Sequence, residues 1–169
     1  MNEISQVIAP GEKMAYEGKP KYAPYLISVI VGIVIAAAVI GAIIGAVSDS
    51  MTIGILIGII ILGLGIFLVN LAYSRTHYAI TDKRVIIQTG IVGRDFKSID
   101  YERMQNVSAS VGLIGVIFKV GTVKIFTGEM QTTGGRNARM QPKYDKLRYI
   151  SNPYEVLKTI QTNLAAGKK

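Results

Sequence analysis

The chain has 169 residues, no cysteine and a single histidine, His77. Disulfides, thiolate metal centres, a cysteine nucleophile and a polyhistidine metal site within one chain are therefore excluded. Half of the residues are hydrophobic and the formal net charge is +8, but both properties are unevenly spread.

Residues 1–21 hold three lysines and three glutamates, so they are neutral. Two uncharged apolar runs follow, 22–48 and 50–74, divided only by Asp49. Each is long enough to cross a hydrocarbon core of about 30 Å as a helix. The turn around Asp49 is too small to hold a domain, so the sequence predicts a transmembrane hairpin with helices over 22–47 and 51–73. A cleaved leader is not expected, because the basic start is missing and the apolar stretch is too long.

Lys19, Lys21, Arg75, Lys83 and Arg84 lie on the side that carries both termini, whereas the hairpin turn has neither Lys nor Arg. The positive-inside rule places both termini in the cytoplasm of a two-span cell-membrane protein. Tyr22, Tyr25, Tyr73, Arg75 and Tyr78 are the expected interfacial anchors, and His77 belongs to the same boundary. Gly41 and Gly45, then Gly54 and Gly58, form two GxxxG pairs near the turn, where bare backbones allow close helix packing. Neither run contains an ionisable side chain apart from tyrosine, which argues against a transporter or proton relay.

Past residue 74 the periodicity changes. Tyr78 and Ile80, then Val85 to Ile87, are β-rich and broken by the polar run Thr81 to Arg84. Val123, Ile125 and Thr127 alternate with Lys124, Phe126 and Gly128, as in a strand with two unlike faces. Gly134 and Gly135 mark a loop, and 144–150 reads as a last strand. The chain then predicts a helix. Asn152 is its candidate cap, Pro153 its first position, and Glu155 lies three residues after the cap. Tyr154, Val156, Leu157, Ile160 and Leu164 form its apolar stripe. Six or seven short strands closed by one helix predict an α+β protein with a small helix-capped barrel.

The residues after 74 carry sixteen Lys/Arg against seven Asp/Glu. Arg136, Arg139, Lys143, Lys146 and Arg148 crowd one stretch offset only by Asp145, which reads as a basic loop over 136–148. Such a loop can hold anionic headgroups or an acidic partner. Specific nucleic-acid binding is not expected, since only Tyr144 and Tyr149 could stack on bases. The glycines around Gly112 and Gly134 match no phosphate-binding fingerprint. Asp82, Asp95, Asp100 and Glu102 are scattered among cations, as surface pairs would be. No catalytic group, metal or cofactor is expected.

Several segments in order resemble a known family. They are Tyr78-Ala-Ile-Thr81-Asp-Lys-Arg84-Val-Ile-Ile, Gly90-Ile-Val-Gly93-Arg94, and Ile99-Asp-Tyr-Glu-Arg103-Met-Gln105-Asn-Val107. Gly112-Leu-Ile-Gly115-Val, Val120-Gly121-Thr-Val-Lys-Ile125 and Ile150-Ser-Asn-Pro153-Tyr-Glu-Val156 continue the series. Pro10-Gly11-Glu12 and Gly18-Lys-Pro20 resemble the lead-in before the hairpin. The chain resembles the bacterial pleckstrin-homology-like, membrane-flanked domains of the YdbS-like type.

The resemblance implies a seven-strand pleckstrin-homology (PH)-like barrel with one helix closing an end, and no catalytic residues. Eukaryotic relatives of the fold bind phosphoinositides through a basic loop between strands 1 and 2. Here the corresponding turn is short, with only Lys83 and Arg84. The expected organisation is an N-terminal cytoplasmic segment 1–21, a hairpin 22–74, a PH-like domain 75–165 and a basic tail 166–169. The expected function is a non-catalytic interaction or scaffolding module at the membrane surface, serving a protein partner or self-assembly. The alternative is an anionic-lipid-binding module that uses the basic stretch 136–148.

Overall fold

The computed structural model describes residues 4–91, 93–134 and 138–167. Elements in chain order are α1 (Ile4–Val7), β1 (Met14–Gly18), α2 (Tyr22–Val47), α3 (Met51–Arg75), β2 (His77–Thr81), β3 (Arg84–Thr89) and β4 (Asp95–Asp100). A single 3-10 turn, Tyr101–Arg103, leads to β5 (Asn106–Ser110), α4 (Leu113–Phe118), β6 (Val120–Thr133), β7 (Arg139–Ser151) and α5 (Pro153–Gly167).

The strands form two antiparallel sheets, ordered β1-β2-β3-β4 and β5-β6-β7. Their inner faces meet in one core. Ile80, Val85 and Ile99 come from the first sheet, Val123, Ile125 and Leu147 from the second, and Val156 and Ile160 from α5. The period-2 alternation that aims Tyr78 and Ile80 inward aims Ala79 outward. Ala79 is nevertheless buried, because Ile4 of α1 packs on it and on Ile86. Central strands β2 and β3 are thus covered on both faces.

The described part of the N-terminal segment, residues 4–21, is therefore not a detached lead-in. Among the described residues, six strands follow the long helices and one precedes them, so the barrel needs β1 to complete its first sheet. The hairpin is the connection between β1 and β2. The short turn at Lys83 and Arg84 is consequently the β2–β3 turn, not the strand 1–2 loop of the fold. Arg84 is engaged there: its Nη2 lies 2.9 Å from Glu12 Oε2, and Thr81 Oγ1 donates to Glu12 Oε1 at 2.6 Å. These contacts draw the Glu12 carboxyl down to about 2, with the Arg84 hydrogen bond the largest cause.

Helices α2 and α3 are long and apolar enough to cross a membrane, with mean hydropathies of 3.0 and 2.9. Only 11% and 6% of their most apolar windows are buried within the protein, so they are not core helices of the ordinary kind. Asp49 turns the chain with φ 49°, and Ser48 Oγ closes the end of α2 by donating to Ile44 O at 2.7 Å.

Strand β7 begins at Arg139 rather than near residue 144. Beyond Phe126, β6 and β7 run on as a ribbon that leaves the core, with Met130 opposite Pro142 and Thr133 opposite Arg139. Both faces there meet solvent, so the usual apolar alternation is missing and the sequence reads as a loop. The last helix matches its predicted start, although Asn152 sits at φ 52° and its amide donates to Glu155 Oε2 at 3.1 Å. Val156 and Ile160 are buried, while Tyr154 is exposed.

Candidate functional site

The base of the hairpin is where the two halves of the molecule meet. Tyr22, Tyr25 and Tyr73 gather there. The Tyr22 and Tyr73 rings are 4.9 Å apart edge-to-face, and Tyr25 and Tyr73 are 5.6 Å apart. Tyr22 Oη donates to Asn70 Oδ1 at 2.9 Å, tying α2 to α3. Arg75, the last residue of α3, donates from Nη1 to Ile91 O at 2.7 Å, so it holds the β3–β4 turn. Tyr78 does not join this group. It is the second residue of β2, faces inward and is buried in the core. Burial pushes its hydroxyl up to about 12. His77 is also buried, on the opposite face of β2, and its Nε2 has no hydrogen-bond partner. Burial first, then the Lys19 charge, lowers its pKa.

A kink in β7 makes the join. Between Gly121–Ile150 and Val123–Leu147 the ladder slips, because β7 carries an extra residue. Tyr149 takes up the bulge with φ 53°, a left-handed conformation that costs a non-glycine residue energy. The bulge re-aims two backbone groups. Arg148 N–H donates to Tyr78 Oη at 3.1 Å, linking the two sheets. Tyr149 O accepts from Lys21 N–H at 2.8 Å, immediately before α2 begins. The Tyr149 ring meets Tyr25 at 6.3 Å.

Next to this join lies an open cleft of about 490 Å³. Tyr25 and Thr76 line it from the hairpin, Thr89 and Lys97 from the first sheet, and Lys143, Lys146 and Arg148 from β7. The basic residues read from the sequence as one loop are thus spread along a strand. Arg136 lies outside the described residues. Arg139 is at the far end of the ribbon, exposed and away from the cleft lining.

The cations of the cleft are not equivalent. Lys97 Nζ is 2.8 Å from Asp145 Oδ1 and 3.7 Å from Glu129 Oε2. Lys143 Nζ is 2.9 Å from Glu129 Oε2, and this contact lowers the Glu129 pKa. These two cations are compensated internally. Among the described residues, Lys146 and Arg148 have no ion-pair partner, so they carry the uncompensated positive charge of the cleft. Sequence reasoning missed the parts that frame them. Thr76 and the Tyr149 bulge leave no composition signal, since nothing local marks a tyrosine for the left-handed region.

The predicted glycines meet at the other end of the hairpin. Gly41 and Gly54 are both buried, and a Cβ on Gly54 would collide with the Gly41 carbonyl. A Cβ on Gly45 would lie 3.6 Å from Gly54 Cα, and one on Gly58 would lie 3.3 Å from Ala37 O. The two backbones therefore touch within one chain.

Residues 14–162 match the bacterial PH domain family, from the first residue of β1 to within α5. The chain belongs to that family. The matched span includes the hairpin, so the long helices stand inside this bacterial PH domain as an insertion between its first two strands. Among solved structures, the chain is similar to a DUF1696 family protein with a pleckstrin-homology domain from Shewanella loihica PV-4. That likeness has 18% identity and a TM-score of 0.38, and covers 54% of this chain and 73% of the other. Comparison with curated proteins gives no match.

Proposed function

We propose that this bacterial PH domain is an integral membrane protein, with the barrel held against the cytoplasmic leaflet as a non-catalytic interaction module. One observation carries the reading: the hairpin is the β1–β2 connection, so the barrel is tethered through two adjacent strands rather than one terminus. A domain fixed in this way has a defined face toward the bilayer. The exposed Ile35, Ile59 and Ile60 side chains along the two helices support a lipid-like surrounding. Bacterial PH domains are generally non-catalytic. Among the described residues, no three His, Cys, Asp or Glu side chains gather as a metal site would need.

The test uses the natural absence of cysteine. With Asp49→Cys as the sole thiol, an impermeant maleimide added to intact cells labels the full chain. Labelling only after cell rupture, or equal labelling of a terminal cysteine from outside, would overturn the orientation.

A second reading concerns what the module holds. Lys146 and Arg148 line a cleft that also contains Tyr25 and Thr76 at the hairpin base. In a membrane-spanning orientation this places uncompensated cations at headgroup depth, each worth about 1 kcal/mol toward an anionic surface. The favoured ligand is an anionic lipid headgroup, ahead of a protein partner or a second copy of the chain. Native mass spectrometry of the full chain released from mixed phosphatidylglycerol and phosphatidylcholine membranes tests this. Preferential retention of the anionic lipid, lost in Lys146→Ala/Arg148→Ala, supports it. Equal retention of both lipids would favour a protein partner.

A further inference from the structure

Helix α4 (Leu113–Phe118) presents its apolar side outward. Leu113, Val116 and Ile117 are 89%, 68% and 75% exposed. Their i, i+3, i+4 spacing puts them on one face. The opposite face is fixed to the barrel. Gly115 is buried so tightly that a Cβ would collide with the Val120 carbonyl, while Ile114 and Phe118 are half-buried. This short helix therefore inverts the usual pattern of a soluble surface, where exposed apolar groups are scattered singly.

Its position identifies what covers it. Helix α4 lies against α2, and Lys21 Nζ donates to Phe118 O at 3.3 Å from the residue just before α2 begins. Lys21 N–H is itself held by Tyr149 O, and the Tyr149 ring by Tyr25 in the first turn of α2. Helix α4, with its apolar face exposed, thus lies beside the base of α2, the helix read above as membrane-spanning. Lys21 and Lys119 flank it, as cations flank segments lying in a headgroup layer.

We propose that Leu113, Val116 and Ile117 dip into the cytoplasmic leaflet as a third membrane contact, which fixes the tilt of the barrel and the depth of its basic cleft. The inference rests on the membrane-spanning reading of α2 and α3. The occupant is lipid, at the depth of the glycerol and upper acyl region, rather than a protein partner.

The experiment uses two single-cysteine variants of the full chain, Val116→Cys and Ile59→Cys, each labelled with bimane in lipid nanodiscs. Lipids carrying a doxyl quencher near the headgroup are compared with unmodified lipids. The Val116 label is expected to shift to the blue and to lose most of its emission in the doxyl-lipid discs. Leu113→Glu/Ile117→Glu is expected to restore that emission while leaving the unfolding transition of the barrel in place. A quenched Ile59 label beside an unquenched Val116 label would overturn the proposal and leave the spanning helices standing. If neither label is quenched, the spanning reading falls and the proposal falls with it. A Val116 label still quenched in the double glutamate variant would also overturn it, because its contact with lipid would then not depend on the apolar face of α4. A Leu113→Cys label repeats the measurement on the most exposed position, where folding is least disturbed.

Discussion

Ile59 and Ile80 are the same side chain packed in two different ways. Ile80 is 0% exposed in the barrel core, whereas Ile59 on α3 is 60% exposed. The barrel solves the hydrophobic problem internally: two sheets and a helix close over their own apolar faces. The hairpin does not. It buries glycine and alanine against each other and turns isoleucine and valine outward, the packing expected of helices in lipid. The difference teaches that one chain can hold two opposite packing rules, separated by a few residues at Lys21 and Thr76.

The largest test of this contrast is to remove the same methyl groups from each region. Ile80→Ala should cost the barrel about 2–5 kcal/mol, while Ile59→Ala should change its stability by no more than about 0.5 kcal/mol. Denaturant titration of the full chain in nanodiscs measures both. Comparable losses would mean that the exposed helix face is packed against something, and the contrast would fail.

The acid limb of the barrel comes next. Glu12 is held down to about 2 by Arg84 and by Thr81, and its side chain is fully covered. A carboxyl with a depressed folded-state pKa contributes stability that is complete above its unfolded value near 4.5 and is lost as pH falls through about 2. The contribution is about 3 kcal/mol at neutral pH. Glu12→Gln should remove it and flatten the stability profile below pH 4.5. An unchanged acid limb would show that residues 1–21 are not part of the domain.

Gly54→Leu examines the hairpin's own rule. Its side chain has no room beside Gly41 and Gly45, so the helices should splay at a cost of about 1–3 kcal/mol. Spin labels at Ile40 and Ile55 should move apart, while the barrel's denaturation midpoint stays in place. The smallest effect is expected for Arg139→Ala. It lies at the end of the ribbon outside the cleft, so lipid retention should match the native chain, in contrast to Lys146→Ala/Arg148→Ala. Equal losses from both would return the site to the whole basic stretch.

Much of the fold was legible because periodicity is a direct imprint of burial. The uninterrupted apolar runs, the alternation at Val123 and Ile125, and the stripe at Val156 and Ile160 each follow from one face meeting one solvent. The ribbon beyond Phe126 was not legible. Its two faces are both wet, so Arg139 to Tyr144 look like loop residues although they pair across to β6. Tyr78 and His77 sit beside the hairpin in sequence, where they read as groups at the membrane boundary. Their burial depends on α5, β7 and α1, which arrive from distant parts of the chain.

The sequence alone determined that two helices of membrane length precede a strand-rich segment resembling a bacterial PH domain, and that disulfides and thiolate metal chemistry are absent. Local pattern suffices for this, since helix length, hydropathy and residue type require no partner. Only the tertiary structure decided that β1 belongs to the barrel, making the hairpin an insertion between two paired strands. It alone separated the paired Lys97 and Lys143 from Lys146 and Arg148, and aimed the apolar face of α4 alongside α2. Strand pairing, ion pairing and the Tyr149 bulge are long-range geometry, set by which segments meet rather than by what each segment contains.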